Sequence, residues 1–281
     1  MNSTIFAPRA VGSHLQDQFI ALSENSTVTG CLIINADDWG CDRETTDRTV
    51  DCLRCGAVSS VSAMVFMRDS QRAAAIAQDR GIDAGLHLNL TSRFSRPDVP
   101  SRLVMHQQRL SRYLRRHRYS QVVFHPGLMR SFEYVIAAQL EEFARLYGRE
   151  PNRLDGHHHM HLCANVLLGG LLPSGTIVRR NFSFKPGEKS FTNRLFRRTR
   201  DWILGRHHHL TDFFVSIQPL TKPDHFRSIV DLSRRYIVEM ETHPQDVAEH
   251  AFLTGDEMRK LVANGIVACR FDASLRTTAQ L

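Results

Sequence analysis

Short apolar runs alternate with segments of helical period along most of the chain. CLIIN (31–35) is a continuous apolar run bounded by polar residues, the pattern of a strand buried on both faces. Over residues 42–55 the period turns helical, with Asp42 placed to cap the start and Gly56 to end it. VSSVSAMVF (58–66) is rich in β-formers, residues 69–80 form an alanine-rich helix closed by Gly81, and AGLHLNL (84–90) is again strand-like. A basic interlude follows. Residues 131–147 are then a long amphipathic helix ending at Gly148, NRLDG (152–156) predicts a short strand, and LCANVLLGGLL a helix. TIVRR (176–180), TDFFV (211–215), YIVEMET (236–242) and IVACRF (266–271) complete the strand candidates, with helices over 226–235 and 256–263.

Strands alternating with helices at this spacing predict an α/β fold with a parallel sheet. About seven such units in this length fit a closed (β/α) barrel better than an open doubly wound sheet. No G-x-G-x-x-G or G-x-x-x-x-G-K-[ST] follows any strand, so nucleotide-type phosphate loops are not expected. The first 28 residues are polar and aperiodic and read as an extension; residues 29–281 read as a single barrel domain. No apolar run reaches the roughly 18 residues of a membrane span. The start of the chain lacks a signal-peptide layout, so the expected location is the cytosol. Six scattered cysteines do not make a disulfide framework.

Charge changes the picture. The chain of 281 residues carries a formal +7, unevenly distributed. Residues 93–118 hold eight arginines against Asp98, and 179–206 hold nine Lys/Arg against Glu188 and Asp201. Those two stretches therefore carry +14 and the remainder −7. This is an acidic body with two basic insertions, at about 93–118 and 181–206, rather than the even basic coat of a nucleic-acid binder.

In a parallel barrel, chemistry sits just past the C-terminal ends of strands. The first strand runs into Asp37-Asp38-Trp39-Gly40. The third contains His87, NRLDG runs into the tract His157-His158-His159-Met160-His161, and YIVEMET ends at His243. Adjacent buried carboxylates repel unless a cation or a proton is shared between them. Asp together with several His from different strands is what one divalent metal ion requires (Mg, Zn, Co, Ni or Mn), with open positions for water. Alone, Asp-Asp reads as a helix cap and His87 as a core histidine, but four imidazoles in five residues have no packing rationale. His207–His209 reads as a solvated loop, and Cys52-x-x-Cys55 as two half-buried helix thiols.

NADDWG, GLHLNLT and LDGHHHMH, in this order and approximate spacing, resemble the YdjC-like (ChbG/HpnK) carbohydrate deacetylases, whose usual wording is NADDFG, GLHLTLT, LDSHHHVH and a late CHPG. The resemblance runs from about Cys31 to Phe271. It implies a distorted TIM-like barrel and a metal-dependent hydrolase that removes acetyl groups from N-acetylated amino sugars. It places the metal on Asp38, His87 and His157, the general base on Asp37, and the general acid on His243. Trp39 replaces the usual Phe as an aromatic wall, Gly156 replaces Ser, and Thr242-His243-Pro244-Gln245 departs from Cys-His-Pro-Gly.

Both basic stretches follow strands and are expected to rim the site, which favours a substrate carrying phosphate or carboxylate, such as a lipid- or nucleotide-linked amino sugar, over a neutral chitooligosaccharide. Arg179 and Asp212 are candidate substrate contacts. In NRLFRRTRDWILG (193–205), Leu195, Phe196, Thr199, Trp202 and Ile203 fall near one helical face. Such a helix can lie peripherally at the inner membrane surface, cap the barrel mouth, or form a homodimer contact. Two other classes, a non-haem iron oxygenase and a non-catalytic nucleic-acid binder, leave the missing H-x-D pairing or the strand-end ligands unexplained.

Overall fold

In the computed structural model, which describes residues 30–184, 187–264 and 269–271, seven parallel strands curl into a distorted half-barrel with helices packed outside. The strands are β1 (Cys31–Trp39), β2 (Ser60–Ala63), β3 (Asp83–Leu88), β4 (Arg153–Gly156), β5 (Ile177–Val178), β6 (Phe213–Ser216) and β7 (Ile237–Thr242). Their order is β5-β4-β3-β2-β1-β7-β6. The seam between β5 and β6 has no regular ladder. It is bridged by an isolated pairing of Ile177 with His209 and by Ser183 N donating to Phe214 O. The expected α/β barrel of about seven strands is thus observed. The further candidate at 266–271 lies largely outside the described residues; of it, Cys269 N donates to Leu32 O at 2.7 Å.

The crossovers carry α1 (Arg43–Arg54), α2 (Ser70–Arg80), α3 (Ser101–Arg116), α4 (Met129–Tyr147), α5 (Ala164–Gly169), α6 (Phe191–Gly205) and α7 (Pro223–Ser233), with α8 (Val247–Thr254) and α9 (Asp256–Ala263) after β7. Asp42 caps α1 by accepting from Thr45 N at 2.9 Å, as its position predicts. The basic interlude is a helix, α3: Leu103, Gln107, Leu110 and Leu114 are buried at helical spacing beneath its arginines. The 1–28 extension lies outside the described residues.

Alternation along the strands divides the barrel into layers. Outward side chains such as Leu32, Ile34, Val61, Leu86, Leu154, Val238 and Met240 pack beneath the helices in the main core. Inside, Cys31, Ile33, Ile177, Ile237 and Phe271 form a small apolar floor. Above that floor the interior is polar: Asn35, Ser62, His87, Arg153, Asp155, Arg179, Glu239 and Glu241 are all buried. Parallel register sets several of these side by side, Asn35 against Glu241 and His87 against Asp155. Gly85 leaves the room that this needs, because a Cβ there would lie 2.7 Å from Arg153 Cζ.

Candidate active site

The site sits where β1 breaks its own alternation. Consecutive strand residues point to opposite faces, so Asp37 and Asp38 should not share a pocket. Asp38 adopts a left-handed φ of 62°, and the β1–β2 register shifts between Ala36 and Trp39. This bulge turns both carboxylates toward the same end of the barrel.

One oxygen of Asp38 and one nitrogen each of His87 and His157 lie within 4.8 Å of one another. Asp38 Oδ1 is 3.3 Å from His87 Nε2 and 2.9 Å from His157 Nδ1, yet is buried without an aligned hydrogen bond. His87 Nδ1 is 2.7 Å from Asp155 Oδ1, which aims Nε2 at the site. Burial alone would push the His87 pKa down, but Asp155 and Asp37 outweigh it and raise it to about 10. Burial opposes the charge of Asp38, while His157 and His87 hold its carboxyl well below the ordinary range. The pocket demands positive charge, and a carboxylate with two imidazoles is a donor set that fits a divalent ion.

Asp37 stands beside this triad, gripped from below. Arg179 Nη1 and Nη2 each donate to it at 2.7 Å, and Asn35 Nδ2 donates at 2.7 Å. Burial raises its pKa, but the charges of Arg179 and His87 prevail and keep it ionised. Arg179 also donates to Glu239 at 2.6 Å and lies 3.0 Å from Asp155 and 3.5 Å from Glu241. Glu241 is pushed well above the usual carboxylate range by burial and by Asp37, and its Oε2 has no hydrogen-bond partner. Asp37, Glu241 and His243 face one point, with His243 Nε2 3.9 Å from Asp37 Oδ2. His243 is half-buried, and its backbone N–H donates to Glu249 Oε2 at 2.6 Å.

The histidine tract divides its labour. His158 and His159 both take left-handed φ, 54° and 58°, which gives the tract's rings different partners while His157 and His158 stay 4.0 Å apart between ring centres. His157 meets Asp38, while His158 Nδ1 is 3.0 Å from Thr91 Oγ1. His159 lies edge-on to Phe182 and 3.7 Å from Glu241. His161 is a framework residue: it donates from Nε2 to Arg179 O at 2.9 Å, and burial lowers its pKa to about 4.

The structure brings Asp37, Asp38, His87, His157 and His243 to one place and relocates three other candidates. Arg179 is not on the rim but wholly buried, because four acids inside the barrel surround it. Trp39 is also fully buried, packed in the main core rather than along an open wall. Asp212 precedes β6, at the opposite end of the barrel, where its Oδ2 accepts from Ile237 N at 2.8 Å. Four residues carry roles that the sequence alone did not assign. Asp155 orients His87, and Glu239 and Glu241 alternate within β7, a period of two that marks one inward face. Gln245, where the family pattern has Gly, donates from Nε2 to Asp38 Oδ2 at 2.9 Å.

A family model described as YdjC-like protein matches residues 31–264. A chitooligosaccharide deacetylase of Serratia marcescens is 35% identical over 136 residues, 47% of this chain and 50% of that protein. One from Yersinia pestis (strain Pestoides F) is 32% identical over 138 residues, 48% and 52% of the respective chains. The chain thus spans about half the length of the curated relatives it matches. Among solved structures, an Enterococcus faecalis V583 protein described as a candidate cellobiose-phosphate cleavage protein superposes with a TM-score of 0.59. That likeness, at 18% identity over 86% of this chain and 97% of the other, speaks to the fold alone.

Proposed function

The chain belongs to the YdjC-like family, and from that premise we propose that it is a metal-dependent carbohydrate N-deacetylase, cleaving the acetamide of an N-acetylated amino sugar into acetate and free amine. The observation that carries the reading is the Asp38–His87–His157 triad lying directly beside an ionised Asp37. The names of the similar proteins point the same way. Two imidazoles and one carboxylate favour Zn, Co, Ni or Mn over Mg as the single ion. A divalent ion held by these three residues supplies Lewis acidity toward the amide oxygen and acidifies water at neutral pH.

The chain's own groups handle the protons. Asp37 Oδ2 takes one from the attacking water as its oxygen bonds to the acetyl carbon. Arg179 and Asn35 fix that carboxylate, so it reacts from one orientation. Collapse of the tetrahedral adduct breaks the C–N bond, and His243 Nε2 protonates the departing nitrogen. Glu241, whose carboxyl burial and Asp37 push well above the usual range, faces the same point and in its neutral form supplies an O–H donor to a substrate oxygen.

The substrate we infer carries an anionic or lipid group on its sugar. Arg93, Arg102, Arg109, Arg112, Arg115 and Arg116 are exposed around the β3–β4 crossover, and Arg115 is close enough to His158 to lower its pKa further, after burial and His157. A cavity of about 620 Å³ lined by Phe182, Phe184, Phe213 and Ile229 shares Phe182 with His159, and Lys189 and Lys222 border it. Such a space suits an apolar aglycone. The names of the similar proteins favour a second reading, a neutral chitooligosaccharide substrate.

Acetate release from free, nucleotide-linked and lipid-linked N-acetyl sugars, with each metal in turn, tests both. Activity should need added metal, and Asp37→Asn should abolish turnover while retaining metal binding. Near-native turnover by that variant would remove Asp37 from its role. Faster turnover of neutral oligosaccharides, insensitive to salt, would remove the anionic substrate.

A further inference from the structure

Helix α6 is inside out. Phe191, Leu195 and Trp202 recur at i, i+4 and i+11, one stripe of a helix, and this stripe faces solvent with 70%, 53% and 63% of their surfaces exposed. The face turned to the protein holds Leu204 and the ion-paired Asp201 instead, with Arg194, Arg197 and Arg200 partly covered. A cap over the barrel mouth would bury the apolar stripe, so that role is not the one observed. The helix is firmly attached: Asp201 accepts from Asn181 N and Nδ2 at 2.8 Å and from Arg180 Nη2 at 3.0 Å, which pins its inner face to the chain just beyond Arg179. The orientation is therefore built in, and the exposed stripe is not a loosely hung helix awaiting a place in the core.

We propose that this face docks on an anionic lipid surface. Charge selects that occupant. From residue 189 to 206 there are six Lys/Arg, of which Lys189, Arg198 and Arg206 are exposed, and one acid, Asp201, which faces inward. The guanidinium of Arg206 lies 5.1 Å from the Trp202 ring centre and that of Arg200 5.0 Å from Phe196, so the cations flank the aromatics that would enter the headgroup layer. A basic helix with Trp and Phe exposed on one side is the arrangement that lies in a membrane interface, held by apolar insertion and attraction to acidic headgroups together. Pairing the same face with a second copy would set the exposed Lys189, Arg198 and Arg206 against their own like charges. The loop before α4 adds a smaller apolar patch, Val122, Val123 and Phe124, tied beside α5 by His125 N donating to Asn165 Oδ1 at 3.0 Å. No described helix is long and apolar enough to cross a membrane, so the contact would be peripheral.

The chain has two tryptophans, and Trp39 is fully buried, so a change in emission on adding vesicles reports Trp202. The full chain should cosediment with phosphatidylglycerol/phosphatidylcholine vesicles, with a blue shift in emission, and not with phosphatidylcholine alone. Raising salt should weaken binding. Phe191→Ser with Leu195→Ser, which leaves Trp202 as the probe, should lower binding at least ten-fold; adding Trp202→Ser should abolish it. Release of acetate from a short soluble substrate should be unchanged in these variants, so this inference and the deacetylase reading fail separately. No preference for anionic vesicles in the unmodified chain would overturn the proposal. So would a dimer in sedimentation velocity that the same substitutions dissolve, since a second copy would then cover the stripe.

Discussion

The two terminal nitrogens of Arg179 each lie 2.7 Å from an oxygen of Asp37, a two-point grip made entirely inside the barrel. It couples the charge of the candidate base to the acids that line the interior, because the same guanidinium also holds Glu239. Breaking a buried pair from one side leaves the partner charge uncompensated, which costs about 3–5 kcal/mol.

Arg179→Lys keeps the charge but loses the planar grip. We expect kcat to fall about ten-fold or more with KM little changed. Arg179 holds the Asp37 pKa down, so weakening it raises that pKa, and the acidic limb of the pH–rate profile should move to higher pH. Arg179→Met should in addition lower the thermal midpoint strongly. An unmoved acidic limb in the Lys variant would separate Arg179 from the function of Asp37.

Gln245 offers a test of how the metal triad is supported. Its amide donates to the Asp38 oxygen that faces away from His87 and His157. Loss of such an outer partner typically costs 10–100-fold in metal affinity. Titration of Gln245→Ala with zinc or cobalt by calorimetry should show a loss in that range, and unchanged affinity would reduce Gln245 to a loop residue.

His161 should make the protein sensitive to acid. Burial lowers its pKa to about 4 from an ordinary 6.5, even though its bond to the Arg179 carbonyl works in the opposite direction. Between those values the unfolded chain binds a proton that the folded chain refuses, so stability falls as pH drops from about 6.5 to about 4. The full loss is about 3 kcal/mol. Thermal unfolding in chelator over that range should show a shallower slope for His161→Gln than for the unmodified chain. Identical slopes would assign the acid sensitivity elsewhere.

Gly156 stands where the family pattern has Ser. A Cβ there would lie 2.9 Å from the backbone N of His161 and 3.0 Å from its ring, so backbone has to move. Gly156→Ser should therefore cost about 1–3 kcal/mol rather than restore a useful hydroxyl. A raised melting temperature would show that the tract here has room to spare.

Much of the architecture was legible because period is a local property. Strand-length apolar runs and helical stripes predicted β1 through β7 nearly in place, and motifs at strand ends pointed to Asp37, Asp38, His87, His157 and His243. The misreading of α3 as an interlude came from its arginines, although Leu103, Leu110 and Leu114 already carried the stripe.

What the sequence could determine by itself was which residues share a strand end or a face, since that follows from spacings of 2 and 3.6. Which side of the fold each face meets was decided only by the curling of the sheet. Alternating polar residues in β4 and β7 look like a solvent face, yet curling turned them inward, where they had to neutralise one another. That is why Arg179 became the buried partner of Asp37 instead of a rim contact. The same ambiguity governs α6: an apolar stripe is equally visible in sequence whether it points in or out, and the ion pair of Asp201 with Arg180 and its hydrogen bonds from Asn181 fixed it outward.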